Sequence, residues 1–140
     1  MKDKFDWTEF LSIAEEIFQK VSKISQVDLS EEAVCRTAIS RAYYFAFHVS
    51  QMCLIEINPD FRSFYGAGSH NDVINGLKNL KEIRYRKIAN YLEKFKIMRV
   101  KADYDSERYP KRFEIGNIVA ELQKAIDYAK KIKFLLQIDS

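Results

Sequence analysis

The chain has 140 residues, 47% of them hydrophobic and 31% charged, with a net charge of +3, and this balance predicts a single helical domain over residues 1–140. Only four glycines and two prolines are present, which favours a few long helices over a many-stranded sheet. The absence of any run of about 18 apolar residues and of an apolar leader excludes a spanning helix and a signal peptide, and predicts a cytoplasmic protein without membrane partners.

The first two predicted helices carry strong apolar patterns. Helix one covers about residues 7–23, with an apolar stripe at three- and four-residue spacing and a start that either Asp6 or Thr8 can cap. Helix two covers about residues 30–57, and Ser30 is its expected cap. Because helix two is apolar on nearly every side, we expect it to be the central and most buried element.

Three further helices follow. Helix three covers about residues 70–79, after a cap at Ser69. Helix four covers about residues 82–102, with Ile83 assigned to its apolar side, and helix five covers about residues 114–138.

Five helical patterns without a strand pattern predict an all-α fold, an up-and-down four-helix bundle with one additional short helix. Cys35 and Cys53 lie on the same predicted helix about 27 Å apart, which is too far for a disulfide. The chain has no cluster of histidines and cysteines with metal-ligand spacing, so we expect no metal and no cofactor.

The stretch ISRAYYFAFHVSQMCL places Arg41 and His48 inside the most apolar helix. Seven residues of helix separate them by about 10 Å along the axis and about 20° around it, so they point to the same side. A buried guanidinium needs an acceptor, because an unpaired buried charge is costly. Asp103 and Asp105, in the loop that follows it, are the two candidate partners across the bundle, and Asp103 can instead pair with Arg99 in its own helix.

Three motifs in the order SRAYYFAFH, GSHNDVINGL and RVKADYD resemble the small prokaryotic HEPN proteins. The resemblance covers essentially the whole chain from helix two to helix five. It implies an all-α bundle of four long helices and a shorter one, a homodimer and, in many members, a metal-independent ribonuclease. Many small members are toxins whose partner is a minimal nucleotidyltransferase that acts as the antitoxin.

The family signature is an arginine and a histidine with four to six residues between them, which resembles the placement of Arg41 and His48, with six between. In the family, two copies of this pair face each other across the dimer. Ser50 stands where some members carry a tyrosine that the partner modifies with AMP, so that form of silencing is not expected here.

This pair suits metal-free RNA cleavage, in which the 2′-hydroxyl attacks the neighbouring phosphate. The reaction needs a base, a cation for the developing charge and an acid for the leaving oxygen. A histidine such as His48, with a reference pKa of about 6.5, can do either proton transfer. The planar fork of Arg41 suits phosphate oxygens, and a dimer supplies the second histidine.

Other side chains are candidates for supporting or substrate-binding roles: Tyr44, His70, Arg99, Asp103, Lys81, Arg84 and Arg86. His70 either caps and packs its helix, or serves as a second proton-transfer group or phosphate contact. Tyr43 and Tyr44 either pack in the core or stack on a substrate.

Residues 78–112 carry twelve basic and five acidic side chains, so this quarter of the chain is distinctly basic. The excess is either an ordinary solvated helix face or a surface that grips RNA phosphates.

Two functions follow from these patterns. The first is a metal-independent endoribonuclease toxin, or toxin-like effector, that works as a dimer with a nucleotidyltransferase antitoxin. The second is a non-catalytic interaction or nucleotide-binding module, in which Arg41, Arg99 and Asp103 form a structural network.

Overall fold

A computed structural model of the protein describes residues 6–24, 28–61, 69–103 and 118–136. Five helices run through them: α1 (Thr8–Val21), α2 (Leu29–Ile57), α3 (Ser69–Lys78), α4 (Ile83–Asp103) and α5 (Ile118–Leu136). The described residues contain no strand, so the prediction of an all-α fold is confirmed. The predicted ends of helix five, residues 114–117 and 137–138, lie outside the described ranges.

The start of α2 differs from the sequence prediction, because Asp28 caps the helix and Ser30 does not. Asp28 Oδ1 accepts a hydrogen bond from the Glu31 amide at 2.7 Å. In return, Glu31 Oε1 accepts one from the Asp28 amide at 3.0 Å. This reciprocal pair is a capping box, which satisfies amides that lack partners within the helix. Ser30 therefore lies inside the first turn.

Side chains also serve two other helix ends. At α1, the Asp6 carboxylate accepts hydrogen bonds from the amide and the hydroxyl of Thr8, so the acid is the acceptor at this start. At the end of α4, Arg36 of α2 donates to the carbonyl oxygens of Lys101 at 2.9 Å and Ala102 at 3.3 Å. A cation at a helix C-terminus is favourable for the helix dipole, and this one also joins α4 to α2.

The centre of the molecule is α2, which packs against α1, α3, α4 and α5. Its Ile39, Tyr43 and Leu54 are fully buried. The prediction of a central α2 is thus confirmed, but the helix is not buried on every side. Arg41 and Val34 are exposed, because no other described helix covers that face completely.

The side chain of Leu54 in α2 packs directly against a glycine of α3. A Cβ atom built on Gly76 would lie 2.6 Å from Leu54 Cδ2 and 3.2 Å from Phe61 Cε1. Both distances are shorter than ordinary van der Waals contact, so only glycine fits here without repacking. The close approach fixes the height at which the start of α3, with His70, meets α2.

One apolar assignment on α4 is wrong. Ile83 is 67% exposed, whereas Tyr85, Ile88 and Leu92 are buried. Ile83 precedes Leu92 by nine residues, which corresponds to about 180° around a helix, so it faces away from the core.

The two cysteines are free thiols, and Cys35 is buried while Cys53 is half-buried. Burial, together with the charges of Glu31 and Glu32, raises the pKa of the Cys35 thiol to about 11. Among the helices described, none combines the length and the apolar character that crossing a membrane requires.

Candidate functional site

Arg41 and His48 both border the start of α1. The exposed Arg41 guanidinium lies over the Phe10 ring, 4.9 Å from its centroid. The half-buried His48 ring stacks on Trp7, with centroids 3.8 Å apart and planes 18° apart. Trp7 and Phe10 pack edge to face at 5.3 Å, so two aromatic rings lie between the cation and the imidazole.

The expected pair of Arg41 with Asp103 does not form, and the intrahelical alternative does. Asp105, the other candidate partner, lies outside the described residues. Asp103 Oδ2 lies 2.7 Å from Arg99 Nε and accepts a hydrogen bond from Ser40 at 3.4 Å. Arg41 needs no buried carboxylate, because its side chain reaches water. The prediction failed because it assumed that α2 is covered on the side of Arg41.

Arg99 joins α4 to the polar side of α2. Its guanidinium donates to the Tyr44 hydroxyl at 2.7 Å and lies 5.1 Å from the centroid of the Tyr44 ring. Tyr44 in turn lies beside His48, with ring centroids 6.0 Å apart. Tyr44, Arg99 and Asp103, three predicted supporting residues, are therefore brought together next to His48.

His70 reaches the same group from the start of α3. Its Nδ1 lies 2.7 Å from the hydroxyl of Tyr43, and its ring lies 4.3 Å from Phe47 and 6.2 Å from Tyr44. Six residues thus meet where α2, α3 and α4 come together, and we call them the Tyr44 cluster: Tyr43, Tyr44, His48, His70, Arg99 and Asp103.

Both histidines of the cluster favour the neutral form. Burial lowers the pKa of His48, and a hydrogen bond with Gln51 acts in the opposite direction. Burial also lowers the pKa of His70 to about 4, with further lowering by the charges of Arg99, Lys96 and His48. At neutral pH, each ring therefore has one nitrogen that accepts and one that donates.

A cavity of about 360 Å³ lies beside the cluster, between α3 and α4. Asn71, Ile74 and Ile97 are among its lining residues, and Lys96, which also lines it, donates to Asn71 Oδ1 at 3.0 Å. Its volume is in the range of small-molecule sites. Lys96 therefore lines the cavity and also acts on the Tyr44 cluster, because its positive charge contributes to the lowered pKa of His70.

The other predicted cations lie elsewhere. Lys81 and Arg86 are exposed near the start of α4, and Arg84 contacts Glu82 at 3.1 Å and the Tyr85 hydroxyl at 2.8 Å. Thirteen residues of helix separate Arg86 from Arg99, or about 20 Å. The structure therefore does not bring these cations together with the Tyr44 cluster.

Sequence reasoning missed several contributors to the site. Trp7 and Phe10 belong to the apolar pattern of helix one in the sequence, yet they contact His48 and Arg41. Phe47 lies between the two histidines, 5.1 Å from His48 and 4.3 Å from His70. Only the position of Phe47, next to His48 in sequence, offered a signal. The contacts of Trp7 and Phe10 depend on how α1 crosses α2.

In the part of the chain that the structure describes, no three His, Cys, Asp or Glu side chains lie together in a way that could hold a metal ion. No protein-family model, curated protein or solved structure matches the chain.

Proposed function

We propose that the protein is a HEPN-type ribonuclease that acts as a homodimer without a metal or other cofactor. The three ordered motifs of the sequence support this proposal, as does the all-helical architecture. The same proposal includes an up-and-down arrangement of the four long helices, with α3 as the additional short one. Its protein partner would be a minimal nucleotidyltransferase that acts as the antitoxin.

The observation that carries the proposal is that Arg41 is exposed and is not paired with an acid in the described ranges. Its guanidinium is exposed on the same side of α2 as His48, and no acid within the described ranges pairs with it. An arginine that only stabilised the fold would be expected to hold a carboxylate or a carbonyl, as Arg99 and Arg36 do. Arg41 is therefore available to an RNA phosphate.

The chemistry follows from the state of His48. Because its pKa is lowered, a neutral His48 is present at neutral pH and can accept the proton of the 2′-hydroxyl. Arg41 then stabilises the charge that develops on the phosphate. In a dimer the second His48 is available to protonate the leaving oxygen, after the negative phosphate has raised its pKa.

Exposed apolar side chains beside this pair support the homodimer. Val34, Met52 and Ile55 are 45%, 46% and 45% exposed. All three lie within about 40° of His48 around the axis of α2, in a stripe about 30 Å long. Apolar patches of this kind mark interaction surfaces. In a two-fold symmetric dimer, each subunit buries the same patch against its copy. This arrangement would bring two Arg41 and two His48 residues to one groove.

The proposal is tested by RNA cleavage with purified protein in excess EDTA. We expect the parent to cut single-stranded RNA, and His48→Ala and Arg41→Ala each to lower the rate by at least about 100-fold. The helical circular dichroism of both variants should survive, since neither side chain is fully buried.

Lys124→Ala is the matched control, because it removes an exposed cation from α5. This variant should cut RNA at the parent rate. If His48→Ala also cuts at the parent rate, His48 has no part in the reaction. If EDTA stops the parent, the metal-independent mechanism is wrong.

A second candidate, a non-catalytic interaction module, is favoured by the contacts of Arg99. Arg99 is 17% exposed and is held by Asp103 and Tyr44, as expected of a structural network. In the structure, Arg41 takes no part in this network, contrary to the sequence expectation. This candidate predicts binding of the nucleotidyltransferase by a protein that leaves RNA intact.

The network itself can be measured by thermal and urea unfolding. Asp103→Ala leaves the partly buried Arg99 without its carboxylate and should lower the free energy of unfolding by about 2 kcal/mol. Arg41→Ala, the matched control, should change it by less than about 0.5 kcal/mol, because Arg41 is exposed. A larger loss for Arg41→Ala than for Asp103→Ala would contradict this assignment of the two arginines.

A further inference from the structure

His70 takes no part in the cleavage steps assigned to Arg41 and His48, yet it lies close to His48. Both imidazoles pack against the same two rings, since Tyr44 is 6.0 Å from His48 and 6.2 Å from His70. Phe47 is 5.1 Å and 4.3 Å from the same two rings. One subunit therefore places two histidines on either side of a single aromatic pair.

The hydrogen bond between Tyr43 and His70 has a definite direction. Tyr43 is fully buried, and its hydroxyl lies 2.7 Å from His70 Nδ1. Within the described residues this hydroxyl has no other hydrogen bond. If Nδ1 carried the ring proton, the phenol proton would be left without an acceptor in the core, which is costly. Tyr43 therefore donates and Nδ1 accepts, so the ring proton of neutral His70 lies on Nε2.

Burial and the charges around His70 keep it neutral. From α4 it faces Arg99 and Lys96, and from α2 it faces His48 and Tyr43. Burial and these charges lower the pKa of His70 to about 4. Burial also raises the pKa of Tyr43 well above its ordinary value, so the phenol remains a donor.

We propose that His70 belongs to the RNA-binding site, where its Nε2–H donates a hydrogen bond to a phosphate oxygen and Tyr43 acts as the positioning residue. This inference rests on the proposed function and adds a third group to Arg41 and His48. A phosphodiester oxygen suits the position, because Lys96 and Arg99 place positive charge beside His70, of which the Asp103 carboxylate paired with Arg99 offsets only a part.

A proton-transfer role for His70 is the alternative that the structure disfavours. A general acid must carry a proton at the working pH, whereas His70, with its pKa lowered to about 4, holds the extra proton only in acid. A general base must offer a free nitrogen, and Nδ1 is already occupied by Tyr43 at 2.7 Å. A fixed neutral donor needs neither property.

The first experiment reads the tautomer directly, from long-range nitrogen–proton spectra of protein labelled with ¹⁵N-histidine. We expect His70 to show a protonated Nε2 and an unprotonated Nδ1 at pH 7. Tyr43→Phe should turn this single tautomer into a mixture, because the phenol no longer selects it. A protonated Nδ1 in the parent, or an unchanged spectrum in Tyr43→Phe, would overturn the positioning role.

The second experiment compares two replacements of His70 in the RNA cleavage assay. The side-chain amide of His70→Gln can donate from nearly the same place as Nε2, whereas His70→Ala cannot. We expect His70→Ala to lower the rate by about 100-fold and His70→Gln to stay within about tenfold of the parent. Equal loss in both variants would mean that His70 transfers a proton, and no loss in His70→Ala would remove it from the site.

A binding measurement separates this inference from the proposed function. Single-stranded RNA with 2′-O-methyl riboses has no attacking hydroxyl, so it reports binding alone. We expect its addition to shift the His70 Nε2–H signal, and the shift to be lost in Arg99→Gln. If the parent cuts no RNA but this shift appears, the nuclease proposal fails and the phosphate contact stands. If RNA binds without any shift, the contact is wrong.

Discussion

His70 and Arg41 show how burial and neighbouring side chains determine the protonation and the exposure of a polar residue. Partial burial of His70, together with the charges of Arg99, Lys96 and His48, lowers its pKa to about 4, whereas Arg41 extends over Phe10 into water. The sequence offered the same two interpretations for both residues, a structural role or a functional one. Their burial and partners separate these interpretations, and they also determine how stability depends on pH.

The stability of the protein should fall in mild acid because of His70. An unfolded histidine takes up a proton near pH 6.5, whereas the folded-state pKa of His70 is about 4. Between these values the unfolded state binds the extra proton, so the free energy of unfolding decreases as the pH decreases. His70→Gln removes this titration, and urea unfolding at pH 7, 6, 5 and 4 should give a shallower pH dependence.

Asn75→Ala is a suitable control on the same helix, because Asn75 is exposed and does not titrate. Its stability should follow the parent slope across the whole range. If His70→Gln follows that slope as well, His70 does not have a lowered pKa in the folded protein.

The helices begin and end where side chains satisfy their free amides and carbonyls. At the start of α2, Asp28 and Glu31 form a capping box through two reciprocal hydrogen bonds, and the side chain of Arg36 donates to the carbonyls of Lys101 and Ala102 near the end of α4. Both contacts involve α2, which is the element that touches every other helix. The position at which α2 begins therefore influences its contacts with all four other helices.

A pair of alanine variants tests the start of α2. Asp28→Ala should lower the free energy of unfolding by about 1 kcal/mol, because the Glu31 amide loses its acceptor. Ser30→Ala should have almost no effect, since the exposed Ser30 lies within the first turn. Urea unfolding followed by circular dichroism measures both, and a larger loss for Ser30→Ala would restore Ser30 as the cap.

At the scale of the whole molecule, the exposed face of α2 is the surface proposed to join two copies. It combines the exposed Val34, Met52, Ile55 and Arg41 with the half-buried His48. A single copy presents one His48, whereas the proposed cleavage uses a base and an acid. The oligomeric state is therefore tied to the reaction.

Light scattering during size-exclusion chromatography tests this surface. The parent should have the mass of a dimer, and Ile55→Glu should have the mass of a monomer, because a carboxylate would be buried against its own copy. Ile97→Glu is the matched control, since Ile97 is 61% exposed on α4. A monomeric parent, or a dimeric Ile55→Glu, would show that this face does not join two copies.

Over the residues that the structure describes, the sequence alone determined the number and type of the helices and, except for helix five, their approximate limits. Periodicity predicts which residues of a helix share a face, and the buried Leu11 of α1 agrees with the apolar stripe that the three- and four-residue spacing predicts for helix one. The same reasoning placed Arg41 and His48 on one side of α2. Ile83 was misassigned because it lies about 180° around α4 from the buried Leu92, a difference that the sequence prediction did not take into account.

Only the tertiary structure decided the partners of the polar side chains. Arg99, rather than Arg41, holds Asp103, and His70 meets Tyr43 across 27 positions of sequence. A helical pattern fixes the angle of a side chain around its own axis, but it contains no information on which neighbouring helix lies opposite, or at what height. Those two quantities come from packing, here from the close approach of Gly76 to Leu54 and from the crossing of α1 over α2.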